Sequence, residues 1–281
     1  MKVAALQMVS TPRVDENLAQ AQALIAQAAQ AGAELVALPE YFCLMGQRDA
    51  DKLAIAEPLA DALSPDRASS PMQATLAEAA KAHGVWVIGG TLPLQSTDAQ
   101  HVFNSVLVFN PQGHRVARYD KIHLFCFDDG ERRYDESTTL LPGSEPVAFE
   151  LTDRVGGTWR IGLSVCYDLR FPELFRALTK DQPCDLLVLP AAFTHTTGQA
   201  HWELLLRARA VENLCHVLAP AQGGEHENGR RTFGHSMVIG PWGEVQAVQA
   251  EGPGVVLGTL DRAQQAKVRQ QLPALTHRVI R

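Results

Sequence analysis

The sequence lacks features that mark several classes of protein. No uninterrupted apolar run approaches the roughly 18 residues of a membrane span, so no membrane partner is expected. Neither charge sign gathers into a block, and 25 basic residues against 31 acidic residues give a net charge of −6. Nucleic acid is therefore not an expected partner. Since no linker, repeat or low-complexity tract is present, we expect one domain over residues 1–281.

A secretory signal and paired cysteines are also missing. Residues 1–8 carry one charge and a short apolar run that is typical of a buried strand, without the apolar core and cleavage site of a signal peptide. The five cysteines are an odd, scattered set with no Cys-x-x-Cys pair. This pattern suits a reducing compartment. We expect a cytoplasmic protein with unbridged thiols.

Two common catalytic motifs are absent. None of the ten histidines forms His-Glu-x-x-His, and the pairs His195/His201 and His226/His235 lack the close helical spacing of zinc ligands, so no metal site is expected. Catalysis by a Ser/His/Asp triad is disfavoured because the chain contains no Gly-x-Ser-x-Gly elbow.

Helix and strand patterns alternate along the chain. The patterns predict strands at 3–8, 34–38, 85–90, 160–165, 185–189 and 216–220, helices at 15–31, 71–83, 171–180 and 199–214, and hairpins at 102–119 and 236–250. Sheets that are covered by helices on one face bury their other face against each other. We therefore predict an α/β fold in which two mixed sheets form a four-layer α-β-β-α sandwich.

Cys166 occupies the most informative segment, residues 161–173. An apolar strand ends at this cysteine, and polar residues and a proline then begin a helix, which predicts a sharp strand-to-helix turn. Nearby amides and a helix dipole would lower the pKa of the thiol and supply donors to an oxyanion. The alternative is a buried structural cysteine, which residue statistics alone favour.

Two further charged residues follow apolar strands. Glu40 comes directly after residues 35–39, and Lys121 follows residues 118–120. Each alone has an ordinary explanation, Glu40 as a strand-end cap and Lys121 as a solvated charge. Together with Cys166 they place a carboxylate, an ammonium and a thiol at three strand ends, where sheet proteins tend to locate their chemistry.

These three segments resemble the signature of the nitrilase superfamily of carbon–nitrogen hydrolases, over essentially the whole chain. The resemblance implies an α-β-β-α fold and a catalytic triad of Glu40, Lys121 and Cys166. It also implies a second active-site glutamate, which would be Glu136, with Glu131 and Glu145 nearby in sequence.

The chemistry of amide hydrolysis gives each residue of the triad a role. A thiolate of Cys166 attacks the carbonyl after Glu40 accepts the thiol proton. Lys121 and the backbone N–H of Tyr167 stabilise the oxyanion, and Glu40 returns a proton to the leaving amine. This mechanism requires no metal or organic cofactor.

Residues 191–194, 200–210 and 234–237 are similar to the Nit branch of the superfamily, whose amidases act on small α-keto acid amides. Loops 221–226 and 251–254 look more like the deaminated glutathione amidases than the ω-amidases of 2-oxoglutaramate. The expected substrate-binding residues are Glu136, Tyr167, Arg170, Phe193 and Thr194. Arg170 would bind a substrate carboxylate or, alternatively, form an ion pair with Asp168 or Glu173.

Other functions share this pattern. A glutamine-dependent synthetase is disfavoured because we expect no second domain after residue 281, and a non-catalytic assembly protein because all three triad residues are present. A nitrile-hydrolysing enzyme uses the same triad. The resemblance also implies a homodimer or a higher homo-oligomer formed through helices, with the helix after Cys166 and the apolar positions of residues 202–214 as candidate surfaces.

Overall fold

The computed structural model describes residues 1–128, 130 and 133–279. Within them, the α-helices are α1 (Val14–Gln30), α2 (Asp51–Ala54), α3 (Pro71–His83), α4 (Pro172–Leu178), α5 (His195–Asn213) and α6 (Arg262–Gln271). The strands are β1 (Lys2–Gln7), β2 (Leu35–Ala37), β3 (Trp86–Ile88), β4 (Leu92–Gln95), β5 (Val102–Phe109), β6 (Arg115–Asp120), β7 (Cys126–Asp128), β8 (Arg133–Asp135), β9 (Leu140–Leu141), β10 (Ala148–Thr152), β11 (Thr158–Leu163), β12 (Leu186–Val188), β13 (His216–Ala219), β14 (Gly223–Glu225), β15 (Arg231–Phe233), β16 (Ser236–Ile239), β17 (Val245–Gln249) and β18 (Gly254–Thr259). Two short 3₁₀ helices span Glu136–Thr138 and Cys166–Arg170.

Most strands belong to two mixed sheets. Sheet I has the order β18-β1-β2-β3-β5-β4, with β6 and β9 also paired to β5, and its parallel centre is β1, β2 and β3. Sheet II has the order β10-β11-β12-β13-β16-β17, with β11, β12 and β13 parallel. Antiparallel strands flank each parallel centre, as the two predicted hairpins require.

Alternating side chains divide sheet I between two hydrophobic cores. Ala4 and Val36 face α1 and α3, whereas Val3 and Leu35 face sheet II and join its core. This alternation follows from the two-residue period of a strand. Helices α4 and α5 cover the other face of sheet II with buried side chains such as Phe175 and Trp202. The layers are therefore α-β-β-α, as predicted.

Several predicted boundaries were wrong by a few residues. Helix α5 begins at His195 rather than at residue 199, and β3 covers only Trp86–Ile88 of the predicted 85–90. The sequence interpretation also missed β18 and α6. Strand β18 pairs antiparallel with β1 along its full length, a long-range contact that local periodicity does not reveal.

The apolar positions of α5 correct one expectation about assembly. Trp202, Leu206 and Ala210 are buried in the core of the chain itself, so they are not available as a dimer surface. The same helix leaves Leu204 and Val211 exposed, at 68% and 43% of their surface. A helix that covers a sheet buries the side chains of one face against that sheet, so only its opposite face can contact a partner.

All five cysteines are free, and only Cys126 is exposed. Among residues 1–128, 130 and 133–279, no helix is long and apolar enough to cross a membrane.

Candidate active site

Lys121 is the most enclosed charge of the site. It follows β6, is 1% exposed, and donates from Nζ to Glu40 Oε1 at 2.9 Å and to Glu136 Oε1 and Oε2 at 2.9 and 2.7 Å. Burial alone would lower the pKa of Lys121, but the carboxylates of Glu136 and Glu40 outweigh burial and raise it. The lysine is therefore a permanently charged ammonium held between two carboxylates.

Glu40 is fixed through both oxygens. Oε1 also accepts a hydrogen bond from Asn104 Nδ2 at 3.0 Å, and Oε2 accepts one from the backbone N–H of Ala192 at 2.9 Å. The next residue, Tyr41, has a φ of 55°, in the left-handed region that a non-glycine residue rarely adopts. Gln222 Nε2 donates to the carbonyl of Glu40 at 3.1 Å and secures this turn. The carboxylate thus points inward from a tightly held backbone.

Glu136 is the second carboxylate on Lys121. It begins a 3₁₀ turn and accepts further hydrogen bonds from Tyr41 Oη at 2.8 Å and Phe125 N at 2.7 Å. Burial tends to raise the pKa of Glu136, but Lys121 outweighs burial and lowers it. Of the three glutamates considered for this position, Glu145 is exposed and Glu131 lies outside the described residues. The structure brings Glu136 to Lys121.

Cys166 begins the short 3₁₀ helix after β11 with a φ of 46°, so the predicted sharp turn is present. Its N–H donates to the carbonyl of Pro190 at 2.9 Å. Asp168 closes the turn by accepting from Val165 N at 2.8 Å and from Tyr119 Oη at 2.6 Å. The backbone of Cys166 is therefore strained and is supported on both sides by hydrogen bonds.

The predicted lowering of the Cys166 pKa was wrong. The thiol is 7% exposed, and burial, followed by the negative charge of Glu40, raises its pKa well above the usual value. Lys121 and the backbone N–H of Ala192 act in the opposite direction without prevailing. A five-residue 3₁₀ helix also offers little dipole. The raised pKa favours the protonated thiol, with the Glu40 carboxylate nearby.

One narrow cavity, the inner cavity, joins most of the expected residues. It is lined by Glu40, Glu136, Cys166, Tyr167, Phe193 and Thr194, together with Phe125, Ala192, Thr197 and Arg230. The last four were not anticipated from sequence. Lys121 lies behind this surface, bonded to both glutamates. The walls are aromatic on one side and charged on the other, which suits a small polar ligand.

Arg170 does not line the inner cavity. Its guanidinium lies over the rings of Tyr167 and Phe193, 5.9 and 5.7 Å from their centroids, and Nη2 is 3.3 Å from Nδ1 of His201. Neither alternative ion pair, with Asp168 or with Glu173, occurs among the described residues. The Asp168 carboxylate instead accepts hydrogen bonds from Tyr119 Oη and Val165 N and contacts the His123 ring.

Asn104 was missed although its signal is visible in the sequence. Together with Ser105 it interrupts the apolar strand β5, and it is 2% exposed. A buried amide in a strand interior must find a partner, and here the partner is Glu40. Arg230 and Asp168 had no comparable signal, because surface loops and helix starts often contain charged residues.

The buried histidines have structural partners. His226 contacts Ser10 O at 2.9 Å and Thr232 Oγ1 at 2.8 Å through its two ring nitrogens. In the part of the chain that the structure describes, no group of three or more His, Cys, Asp or Glu side chains is placed to hold a metal ion.

Comparison with known proteins places this site in a family. The family model described as "Carbon-nitrogen hydrolase" matches residues 2–270. A Synechocystis protein named deaminated glutathione amidase is 42% identical over 279 residues, covering 98% of this chain and 97% of that protein. A Xenopus tropicalis protein named omega-amidase NIT2 is 36% identical over 276 residues, covering 97% and 92% of the two chains.

The fold is shared with solved structures. The Caenorhabditis elegans NitFhit protein superposes with a TM-score of 0.85 at 35% identity, over 99% of this chain. This chain spans 65% of the length of that protein. The resemblance that the three strand-end segments indicated is confirmed, as is the layered fold. The chain belongs to the carbon–nitrogen hydrolase family.

Proposed function

We propose that the chain is a cysteine-dependent amidase in which Cys166 is the nucleophile, Glu40 the general acid and base, and Lys121 the cation that stabilises the oxyanion. The single observation that carries this proposal is the enclosure of Lys121 between two carboxylates at the wall of the cavity that contains Cys166. Because the Lys121 ammonium has two carboxylate partners and the residue is 1% exposed, it is not a solvated surface charge.

The first half of the reaction makes a thioester. As Cys166 Sγ bonds to the amide carbon, its proton passes to Glu40 and the carbonyl π electrons move to oxygen. Lys121 and the N–H of Tyr167, which lies in the first turn of the 3₁₀ helix after Cys166, stabilise that oxyanion. When the tetrahedral intermediate collapses, the carbon–nitrogen bond breaks and the leaving amine takes the proton from Glu40.

The second half releases the acid. A water molecule attacks the thioester while Glu40 accepts one of its protons. The new intermediate collapses, the carbon–sulfur bond breaks, and the proton returns from Glu40 to Cys166. Because burial and Glu40 raise the pKa of Cys166, the thiol is restored at the end of each cycle rather than left as a thiolate. Glu136 acts on Lys121, which it holds in place through two hydrogen bonds.

For the substrate, we propose the amide of an α-keto acid, with deaminated glutathione as the first candidate. Relatives bearing that name support it, at 42% and 39% identity over 98% of this chain. The ω-amidase reaction on 2-oxoglutaramate is the alternative, supported by the similarity to omega-amidase NIT2.

The test compares kcat/KM for deaminated glutathione, 2-oxoglutaramate and glutathione. Turnover of the first is followed through cysteinylglycine and turnover of the second through ammonia. We expect deaminated glutathione to be the best substrate and glutathione to be hydrolysed more slowly, because the relatives are named for the deaminated compound. A higher value for 2-oxoglutaramate favours the ω-amidase. Turnover of only aliphatic amides or nitriles contradicts the branch assignment.

We further propose a cytoplasmic, single-domain homodimer. Leu204 and Val211 on the outer face of α5 are the exposed apolar residues of the helix that the family resemblance implicates. Light scattering at micromolar protein should give twice the chain mass of 30.6 kDa. A mass equal to one chain contradicts the dimer, and subcellular fractionation tests the compartment.

A further inference from the structure

A second, larger cavity adjoins the inner cavity. This outer cavity has a volume of about 410 Å³, within the range of small-ligand sites, and its charged lining residues are Arg48, Asp49, Lys52 and Arg230, with Tyr41 and Tyr134 among the others. Arg230 lines both cavities. Tyr41 forms a wall of the outer cavity and donates to Glu136, which lines the inner one. The two cavities are therefore neighbours that share the Arg230 side chain.

Lys52 is a poorly compensated cation in the outer cavity. Its side chain is 11% exposed, and Nζ lies 3.9 Å from Asp49 Oδ1 and 3.4 Å from Thr139 Oγ1. Burial lowers the pKa of Lys52, and the attraction of Asp49 and Glu136 offsets this effect only in part. An ammonium taken out of water without a close carboxylate is expensive to maintain.

Arg230 presents a second cation to the same space. Nη2 donates to Ala192 O at 3.0 Å, and the guanidinium lies 6.0 Å from the Tyr134 ring centroid. Its Nε is buried without a hydrogen-bond partner, and no carboxylate is within 4 Å of the side chain, as far as the described residues extend. Arg48 differs, because it is 83% exposed and pairs with Asp51.

The two cations repel each other, and the charge of Arg230 adds to the lowering of the Lys52 pKa. Around Lys121 the net charge is negative, since two carboxylates share one ammonium there. A substrate carboxylate would be repelled by Glu40 and Glu136 but attracted to Lys52 and Arg230. The charges therefore favour an anionic group at the outer cavity.

We propose that the outer cavity binds the leaving-group half of the substrate, and that Lys52 together with Arg230 holds a terminal carboxylate on the leaving amine. This inference rests on the proposed amidase function. Glu40, which returns the proton to the leaving nitrogen, is followed directly by Tyr41, a wall of the outer cavity. A dipeptide extends about 7 Å beyond that nitrogen, so its carboxylate clears the inner carboxylates. The substrate class is an amide whose amine carries a carboxylate, such as a peptide.

Three substrates separate the possibilities: deaminated glutathione, the same compound with its terminal carboxylate converted to a carboxamide, and 2-oxoglutaramate, which has no tail. Lys52→Met should raise KM for deaminated glutathione by about 10- to 50-fold with little change in kcat, the usual size for loss of a charged hydrogen bond. The other two substrates should change by less than about threefold. Lys52→Arg should keep most of the affinity, and Lys267→Met, at an exposed lysine of α6, is the matched control.

Equal slowing of all three substrates overturns the inference, because Lys52 would then act on Glu136 or on the fold. An equal KM increase for 2-oxoglutaramate also overturns it and assigns Lys52 to the keto acid half. Wild-type enzyme gives an independent check, since it must prefer the carboxylate tail to the carboxamide tail by about tenfold in KM. If wild-type enzyme hydrolyses none of the three, the proposed function itself has failed.

Discussion

Lys121 and Lys52 are both largely buried lysines near Glu136, yet their surroundings differ. Lys121 makes three short hydrogen bonds to two carboxylates, which raise its pKa. Lys52 has one carboxylate at 3.9 Å, and burial lowers its pKa. In the proposed scheme, the protein supplies the counterions of the lysine that acts in the chemical step and leaves those of the lysine that recognises the substrate largely to a ligand.

The largest expected effect is a loss of activity from a substitution in the inner cavity. Cys166→Ala should reduce amide hydrolysis by on the order of 10⁴-fold or more, because the nucleophile is removed with little change of volume. Product release measured with deaminated glutathione and 2-oxoglutaramate should fall equally. Cys184→Ala is the matched control, since Cys184 is buried outside both cavities and should retain activity. Comparable activity in the two variants would contradict the assignment of the nucleophile.

Lys121→Met tests whether activity and stability depend more on Lys121 than on Lys52. We expect activity to fall by about 10³-fold, because the oxyanion loses its cation. Two buried carboxylates would also face each other without a counterion, so the free energy of unfolding should fall by about 3–5 kcal/mol. Urea denaturation measures that loss. Adding Glu136→Gln should recover part of the stability and none of the activity.

Lys52→Met is the companion variant in the same denaturation experiment. Because its ammonium is desolvated and weakly paired, we expect little loss of stability, or a gain. Equal destabilisation by Lys121→Met and Lys52→Met would break the contrast between the two sites.

Glu40→Gln should move two measurements in opposite directions. Hydrolysis should fall by about 10²-fold or more, since the general acid and base is lost. Glu40 is also a cause of the raised pKa of Cys166, and removing its negative charge beside Lys121 lowers that pKa. The thiolate fraction at pH 7–8 then rises, so iodoacetamide should alkylate Cys166 several-fold faster than in wild-type enzyme. Mass spectrometry separates this adduct from labelling of the exposed Cys126. Slower alkylation in the variant would refute the electrostatic effect of Glu40.

The smallest expected effect is at Arg170. Its guanidinium stacks over Tyr167 and Phe193 outside the lining of the inner cavity, so Arg170→Gln should raise KM by less than about tenfold. For a substrate with a carboxylate tail, Lys52→Met should raise KM more than Arg170→Gln does. A larger effect of Arg170→Gln on 2-oxoglutaramate would support the expectation from the sequence that Arg170 binds a substrate carboxylate.

The sequence predicted the layers and the three strand ends because both depend on short-range patterns. Apolar alternation marks a strand, and Glu40, Lys121 and Cys166 each follow one. What it could not predict depends on packing across long sequence separations. The pKa of Cys166 is raised by burial and by a residue 126 positions away, and the two cations of the outer cavity come from α2 and from the turn before β15. Local periodicity contains no information on such pairings.

The backbone N–H of Ala192 donates to Glu40 Oε2 at 2.9 Å and also interacts with Cys166. Every amino acid except proline carries this donor, so the genetic code offers almost no mutation that deletes it. Selection at this codon can therefore act on the side chain of Ala192, which is 1% exposed and limited in size. It can scarcely act on the contribution of the backbone N–H to the proposed reaction. A scan of side chains would overlook a group that links the proposed base and nucleophile. Replacing the amide by an ester through chemical synthesis would expose it.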